Sequence, residues 1–453
     1  MLRQGRLLAG ISIFWLALSM LFDGINTLVL PFQLSTLTDG QSQATALGLL
    51  TFIGLMAGAL IQPIAGSVSD RYRTMVGRKG MVGIGVLLSL ASLAFFILSN
   101  NLTAIAISYL AIQVSGNVAQ AGQQGLLPDL VQDRRRGLAS GLKGFMDIGG
   151  AMLGFVFLGQ LLGSGRPSLA VGVIAVILLL TYLAATLLTP EDRPGNQIIP
   201  HRRIGLKQIF QIDPTREKDF IRLLIARFLF LLGIYATGRF LLFFVAERLG
   251  LETNQAAEQA GRLLAALALI TVLASPIAGW LADRAGRLRL MVTGSVLGAI
   301  SALLLVWADN SSRILLFGGL MSIGSAAFAG GSWALIADLA PKDESARYFG
   351  LANFSTVGAA ACAGLFGPVI DWVERVSPGN GYSILFIGAA LAFLASAIPV
   401  KNRLLKEVKD VRERNRNKGK DRADASRLAV LSLSTHPSSA EEDTHPSGGS
   451  TRL

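Results

Sequence analysis

Long apolar segments separated by short polar links run along most of the chain. A helix needs about 20 apolar residues to cross the hydrocarbon core of a membrane, and irregular backbone cannot face lipid with its amides unpaired. Twelve segments approach or exceed that length: 7–32, 45–68, 80–98, 102–124, 138–163, 168–188, 220–246, 260–282, 290–308, 313–336, 349–371 and 381–400. The pattern predicts an all-α membrane protein with twelve transmembrane helices.

Two of the polar links repeat one another at an offset of 213 residues. The stretches 62–79 and 275–287 each carry a proline, a glycine and an Asp-Arg pair in the same register. The aligned residues are Pro63 with Pro276, Gly66 with Gly279, Asp70 with Asp283, and Arg71 with Arg284. The chain is therefore expected to be a duplicated unit that forms two pseudo-symmetric six-helix bundles.

The duplication divides the chain into four parts. We expect residues 1–188 to form the first bundle and residues 220–400 the second. Residues 189–219 contain four prolines and a basic run, which is typical of a cytoplasmic central loop. Residues 401–453 begin as a basic tail, either an amphipathic helix on anionic lipid or a solvated segment, and end in a stretch expected to be disordered.

Charge sets the expected orientation and excludes several functions. Only 15% of residues are charged, against about 25% in soluble domains, so polar side chains are too few to coat a soluble protein. The net charge of +12 arises mostly in alternate links and the tail, which places both termini in the cytoplasm of a cell-membrane protein and does not indicate nucleic-acid binding. With one cysteine, and three histidines outside the apolar segments, we expect no metal site and no cofactor.

The duplicated Gly-x-x-x-Asp-Arg motif, placed between the second and third span of each half, resembles the major facilitator superfamily of secondary transporters. The longer spacing in the first copy, five residues between Arg71 and Gly77 where the second copy has only Ala285, is similar to that of sucrose transporters and related glycoside/cation symporters. Here Gly80 and Met81 follow the basic cluster in place of the proline and aromatic residue of that branch. The resemblance implies transport by alternating access.

The resemblance also implies a gate at the cytoplasmic face, where the Asp and Arg of the motif lock the two halves together. Glycines at 66 and 279 would allow close helix approach, and the aspartates could accept from arginines or helix N-termini of the opposite half. Two further links, each with an aspartate followed by an arginine, look like a second gate pair. The gating candidates are Gly66, Asp70, Arg71, Gly77, Arg78, Asp129, Arg136, Gly279, Asp283, Arg284, Arg287, Asp338 and Arg347.

Two acidic residues inside the spans are candidates for proton coupling. Asp23 lies about 16 residues, or roughly 24 Å, into its helix, and an unpartnered carboxylate at that depth favours its neutral form. Asp147 lies one helical turn beyond Lys143, so a purely structural local ion pair is an alternative for it. Such groups cost about 3 kcal/mol or more at the centre of a membrane, which makes each a functional candidate.

Other polar residues in the spans are candidates for solute binding. The repeat places Asn26 on Arg239, so Arg239 could be the counter-ion of Asp23 or the anchor for an anionic or hydroxyl-rich solute, with a structural ion pair or snorkelling as alternatives. Arg227, near the start of its span, is expected to meet headgroups or the gate.

One helical face of the fourth span carries four amides, which we call the amide stripe: Gln113, Asn117, Gln120 and Gln124. Amides match the hydroxyl groups of a polar solute, although bonding between helices would also explain the stripe. Tyr235, Trp333 and Asn353 could extend the same cavity.

Three functions remain open. The first is proton-coupled symport of a sugar, glycoside or similar small polar solute, with sodium as the alternative ion. The second is proton-antiport efflux of drugs or metabolites, and the third is a non-transporting scaffold or assembly factor on the same fold. A nucleotide-binding loop and a plausible catalytic set are absent from the sequence, so we expect no enzyme activity. The expected partners are a small-molecule solute, protons and the lipid bilayer, and the chain is expected to be monomeric.

Overall fold

The computed structural model describes residues 2–38, 42–71, 77–131, 136–190, 217–340 and 345–400, and these residues form helices and their links with no strand. The helices are α1 (Leu2–Gly24, Ile25–Val29 and Leu30–Leu37), α2 (Gln43–Arg71), α3 (Gly77–Leu98), α4 (Leu102–Leu130), α5 (Arg136–Gly163), α6 (Pro167–Leu188), α7 (Lys218–Arg239 and Leu241–Leu249), α8 (Thr253–Ala285), α9 (Arg287–Leu305), α10 (Ser311–Leu339), α11 (Ser345–Cys362, Ala363–Leu365 and Phe366–Val376) and α12 (Gly381–Val400). All twelve are long and apolar enough to span a membrane, which confirms the predicted all-α fold. Most of the predicted central loop, and the whole tail from residue 401, lie outside the described residues.

The first helix of each half departs from α-helical geometry at the same depth. In α1, residues Ile25–Val29 form a π-helical turn. Pro31, just beyond it, has no N–H with which to continue the α-helical ladder. In α7 the helix is interrupted at Phe240, which the 213-residue repeat aligns with this turn. The pattern of apolar residues did not predict either break, because both sides of each break are equally apolar.

Helix packing repeats from one half to the other. In the first half α1 packs on α5, α2 on α4, and α3 on α4. In the second half the corresponding contacts are α7 with α11, α8 with α10, and α9 with α10. Between the halves α2 packs on α11 and α5 on α8, two contacts that a two-fold rotation exchanges. The arrangement is therefore two pseudo-symmetric bundles joined along two helix pairs.

The two halves meet closely at one end of these helix pairs. We call the end that carries Gly77 and Gly286 the motif end, and the opposite end the far end. At the far end, a β-carbon on Gly48 of α2 would lie only 2.1 Å from the carbonyl oxygen of Gly364 in α11. A β-carbon on Gly261 of α8 would lie 2.4 Å from the carbonyl oxygen of Phe155 in α5. Only glycine permits this approach of backbones, and we call these two contacts the far seam.

A hydrogen bond across the halves accompanies the far seam. The backbone N–H of Thr45, in the first turn of α2, donates to Oδ2 of Asp371 at 2.6 Å. Asp371 lies near the end of α11 and is buried. The first N–H groups of a helix have no partner inside the helix and favour a negative charge, so a carboxylate from the opposite half satisfies both requirements.

The motif end shows no comparable approach of the two halves among the described residues. Within that part of the chain, no neighbouring atom lies within 4 Å of the β-carbon position of Gly66 in α2 or of Gly279 in α8. Contact of these two glycines with the opposite half is thus not seen among the described residues, and their predicted role in the gate stays a prediction. The close inter-half approaches described above all lie at the far end, so the described contacts close the interior between the halves at that end.

Candidate functional site

The two predicted proton sites lie together between α1 and α5. Ser19 Oγ, one helical turn before Asp23, donates to Asp23 Oδ2 at 2.8 Å and also lies within hydrogen-bonding reach of Asp147. The two carboxylates are close enough to interact electrostatically. We call Asp23 and Asp147, which share the hydroxyl of Ser19, the carboxylate pair. Sequence reasoning missed Ser19, although its spacing of four residues from Asp23 was a usable signal.

Lys143 does not form the predicted local ion pair. Its Nζ lies over the ring of Trp15, 3.5 Å from the ring centroid, which is a cation–π arrangement. Lys143 and Asp147 still interact electrostatically, but the salt bridges within 4 Å in the described part of the chain do not include them. The ammonium group of Lys143 therefore contacts the ring of Trp15, while the carboxylate of Asp147 lies within hydrogen-bonding reach of Ser19.

Asn26, Tyr109 and Gln113 form a hydrogen-bonded group across α1 and α4, which we call the amide cluster. Gln113 Nε2 donates to Asn26 Oδ1 and to Tyr109 Oη, both at 2.9 Å, and Tyr109 Oη donates to Asn26 Oδ1 at 2.8 Å. All three side chains are buried, and Gln113 Oε1 has no hydrogen-bond partner in the described structure. Sequence reasoning missed Tyr109, which lies one turn before Gln113 on the same face.

The other members of the predicted amide stripe differ in burial and in their contacts. Asn117 Nδ2 donates to the carbonyl oxygen of Gln113 at 2.8 Å, Gln120 is half-buried, and Gln124 is exposed near the end of α4. Gln123, outside the stripe, is buried and donates to the carbonyl oxygen of Ile11 at 2.6 Å. Amide bonding between helices therefore occupies Gln113 and Gln123, whereas Gln120 and Gln124 have no such contact in the described structure.

Arg239 lies at the last helical position before the break in α7, and it is only 5% exposed. Its Nη2 donates to the carbonyl oxygen of Ala360 in α11 at 3.0 Å, while Nε and Nη1 have no hydrogen-bond partner in the described structure. It interacts electrostatically with Tyr109 and Tyr235. The described residues contain no salt bridge between Arg239 and Asp23, so the predicted role as a direct counter-ion is not seen.

Arg227 is placed differently from the prediction. Instead of meeting headgroups or the gate, its guanidinium is buried and bound by hydroxyl groups: Nη1 donates to Ser332 Oγ at 2.9 Å, and Nε and Nη2 donate to Thr356 Oγ1. Its Cζ lies 4.0 Å from the ring centroid of Trp333. Trp333, which stacks on Phe349, is therefore engaged by Arg227, and Asn353 is exposed.

The motif end carries two matching salt bridges, one in each half. Arg78 at the start of α3 pairs with Asp129 near the end of α4, and Arg287 at the start of α9 pairs with Asp338 near the end of α10. Arg287 Nη1 also donates to the carbonyl oxygen of Ala334 at 3.1 Å. The predicted second gate residues Asp129 and Asp338 thus bind the basic residues of the motif itself, inside one half and not between halves.

The remaining gate predictions are only partly visible. Asp283 and Arg284 are exposed, and Arg284 Cζ lies 4.2 Å from the ring centroid of Trp280, one turn earlier in the same helix. None of the salt bridges in the described residues joins the two halves at the motif end. The side chains of Asp70, Arg71, Arg136 and Arg347 lie outside the described residues.

Glycine precedes each motif arginine for a conformational reason. Gly77 has a φ of 65° and Gly286 a φ of 95°, a region that side chains with a β-carbon rarely adopt. These residues turn the chain between successive helices, so that Arg78 and Arg287 begin α3 and α9 next to their aspartates. Gly77 therefore positions Arg78 beside Asp129 through backbone geometry.

We expect Gly286→Ala to lower the melting temperature of the purified protein, because a β-carbon at positive φ costs about 1–2 kcal/mol. Gly279→Ala is the matched control: it lies inside α8, no neighbouring atom of the described residues is within 4 Å of its β-carbon position, and alanine favours a helix interior. Thermal unfolding in detergent, followed by intrinsic fluorescence, measures both. Equal melting temperatures for the two variants would contradict the assignment of strain to Gly286.

No group of three or more His, Cys, Asp or Glu side chains in the described residues could hold a metal ion. The polar side chains placed inside the described spans above are carboxylates, arginines, a lysine, amides and hydroxyls. Such groups can exchange protons and bind polar or charged solutes.

Known proteins resemble this chain over most of its length. The sequence model of the Major Facilitator Superfamily matches residues 9–257 and again residues 223–438. The multi-drug resistance efflux pump PmrA of Streptococcus pneumoniae is 25% identical over 398 residues, which cover 85% of this chain and 94% of that protein. The probable nitrate/nitrite transporter NarK2 of Mycobacterium tuberculosis is 22% identical over 390 residues, which cover 81% and 90%.

A solved structure shares the fold. The bacterial homolog of the human lysosomal transporter Spinster, in its inward-facing and unoccupied conformation, matches with a TM-score of 0.64 at 14% identity. The match covers 88% of this chain and 95% of that protein. At this identity the likeness concerns the arrangement of the twelve helices.

Proposed function

Because the chain belongs to the Major Facilitator Superfamily, whose members are transporters and not enzymes, we propose that it works by alternating access. In this proposal it is a proton-coupled symporter of a small polar solute. The observation that carries the proposal is the carboxylate pair. Two acidic side chains inside the spans share one serine hydroxyl. Ionisable groups at such a depth are costly and are kept where they have a function.

The geometry of the pair suits uptake and release of a proton. Two nearby carboxylates repel one another when both are charged, and protonation of either one removes the repulsion. Lys143 is held by Trp15, so it does not lock Asp147 in a salt bridge within the described residues. A proton can therefore change the charge at the interface of α1 and α5 without breaking a structural ion pair.

The contacts between halves suit alternating access. The far seam and the Thr45–Asp371 bond hold one end closed, whereas the described residues show no such contact of Gly66 or Gly279 with the opposite half at the motif end. In our proposal bundles 1–188 and 220–400 rock about this interface. The positive-inside distribution of the links supports a cytoplasmic position for the motif end and both termini, and in our proposal this conformation is the one that opens to the cytoplasm.

The proposed solute is a sugar, a glycoside or a similarly polar molecule, bound near the amide cluster. Gln113 Oε1 is a buried acceptor without a partner in the described structure, and Gln120 is half-buried on the same face of α4. Tyr235 interacts electrostatically with Asp23 and with both buried arginines, so it lies among the charged groups of the two halves. These side chains offer donors and acceptors to hydroxyl groups.

Proton-antiport efflux is the second candidate, because most polar atoms of the amide cluster are hydrogen-bonded to one another. Asn26, Tyr109 and Gln113 bind one another, which leaves fewer groups free for a sugar. PmrA, named as a multi-drug efflux pump, aligns with 85% of this chain. Efflux would use the same carboxylate pair in the opposite sense.

Proteoliposomes that contain the purified chain and a pH-sensitive dye in the lumen test the proposal. Sugars, glycosides, organic acids and hydrophobic dyes are added outside, one at a time, without an imposed gradient. A symported solute acidifies the lumen, whereas an antiported solute makes it more alkaline. If no solute changes the lumen pH beyond that of protein-free vesicles, proton coupling is wrong; uptake that requires a sodium gradient would replace the proton with sodium.

A further inference from the structure

We propose that the solute carries an anionic group, and that Arg239 binds this group at the interface of the two halves. The inference rests on the proposed function, since it concerns the solute of the same central site. It narrows the solute from a polar molecule to a small organic acid.

The first step is the incomplete bonding of Arg239. The side chain is 5% exposed, one donor atom is bound to Ala360, and the donors on Nε and Nη1 have no partner in the described structure. Buried polar groups in proteins are nearly always hydrogen-bonded, and a charged group left unbonded costs more than a neutral one. An oxyanion is the partner that a guanidinium binds most strongly.

The second step is the charge of the C-terminal half. Arg227 and Arg239 are both buried, and neither forms a salt bridge in the described structure. The described acidic residues of this half all lie in links or within two turns of a helix end: Glu217, Asp219, Glu247, Glu252, Glu258, Asp283, Asp309, Asp338, Asp371 and Glu374. Among the described residues of their own half, the two buried cations therefore have no acidic partner inside the spans, and a bound anion would compensate this charge.

The third step is the chemistry around Arg239. It interacts electrostatically with Tyr109 and Tyr235, and Tyr109 is bonded to Gln113, whose Oε1 has no partner in the described structure. The site thus combines guanidinium donors from α7 with an amide acceptor and hydroxyls from both halves. A carboxylate with a neighbouring hydroxyl group matches this set, because the carboxylate takes the donors and the hydroxyl can donate to Gln113.

A structural role for Arg239 is the alternative. Arg239 ends the first helical segment of α7, where a cation is favoured by the helix dipole, and it ties that helix to α11 through Ala360. Such a role would change thermal stability when Arg239 is replaced, but it would not change which solutes bind. The test therefore measures ligand affinity separately from stability.

The experiment measures ligand-dependent shifts of the melting temperature on the full chain in detergent. Each carboxylate is compared with a neutral counterpart: lactate with lactamide, gluconate with glucose, and benzoate with benzamide. We expect at least one carboxylate to stabilise the wild type while its neutral counterpart does not. In Arg239→Gln the half-saturating concentration should rise about tenfold to hundredfold, the loss expected for a charge-assisted hydrogen bond.

Two further variants complete the design. Arg239→Lys keeps the charge without the planar fork and should bind with intermediate affinity, and it replaces Arg239→Gln if that variant does not fold. Arg262→Gln is the matched control, because this arginine is 63% exposed and pairs with Glu258 at the far end; its affinity should equal that of the wild type. The inference is overturned if neutral counterparts bind equally well, if no carboxylate binds, or if the Arg239 variants keep wild-type affinity.

The result separates this inference from the proposed function. If neutral sugars acidify the lumen and carboxylates do not, symport stands and the anion site is wrong. If carboxylates bind through Arg239 but no solute changes the lumen pH, the anion site stands and proton coupling is wrong.

Discussion

Asp23→Asn is expected to reduce solute-dependent proton movement in proteoliposomes to the level of protein-free vesicles. The amide has nearly the same size as the carboxylate and can still accept from Ser19, but it cannot take up or release a proton. The change therefore removes the proposed coupling chemistry with little change in packing. Lumen pH after addition of the solute identified for the wild type measures the effect.

The control for this prediction is Asp309→Asn. Asp309 pairs with Arg313 at the far end and its side chain is 60% exposed, so its replacement should leave proton movement unchanged. Solute exchange at equal concentrations on both sides needs no net proton transfer, and it should persist in Asp23→Asn. A variant at position 23 that acidifies the lumen like the wild type would show that the proton is carried elsewhere.

Gly364→Val is expected to hold the far end open and to reduce transport to background. A single β-carbon at this position would already lie 2.2 Å from the carbonyl oxygen of Gly48, and valine adds two methyl groups. The obstacle is backbone, which cannot move aside as a flexible side chain can. The conformation described here would become the less stable one, and a difference of about 5.5 kcal/mol suffices to exchange a 99:1 population.

Spin labels measure this shift directly. In a Cys362→Ser background, cysteines at Ser164 and Asn310, both exposed at the far end, carry the labels. The distance between them should lengthen in Gly364→Val. Gly172→Val in α6 is the control, since no neighbouring atom in the described part of the chain lies within 4 Å of its β-carbon position, and it should keep the wild-type distance. An unchanged distance with Gly364→Val would show that the far seam does not set the state.

The spans could be predicted because membrane thickness fixes helix length, and the duplication could be predicted because the repeated link is polar and therefore distinct. Partners were harder to predict. Spacing placed Gln113 and Asn117 on one face of α4, but the π-helical turn in α1 decides which α1 residue reaches that face, and Asn26 does so. A turn of that kind leaves no mark in a pattern of apolar residues.

Arg227 shows the same limit in another form. Its position near the start of a span suggested contact with headgroups, because sequence depth says nothing about the direction of the side chain. Ser332 and Thr356, one on α10 and one on α11, supply the hydroxyls that allow the guanidinium to stay inside. No spacing rule links residues that are more than 100 positions apart, so this contact required the structure.

The four residues of the motif-end salt bridges were all predicted as gating residues, but their pairing was not predicted. Arg78 with Asp129 and Arg287 with Asp338 are related by an offset of 209 residues, four fewer than the 213 of the helices before them. The difference equals the extra length of the first link, which has five residues after Arg71 where the second has one after Arg284. The duplication thus tolerated a change of link length while each arginine remained beside its aspartate.

The Thr45–Asp371 contact has a donor that belongs to the main chain. Replacing the side chain of Thr45 by any residue other than proline leaves that N–H in place, so natural or laboratory variation can tune this contact essentially through position 371 alone. A library of variants at position 371 alone would therefore vary the fraction of time that the transporter spends with its far end closed.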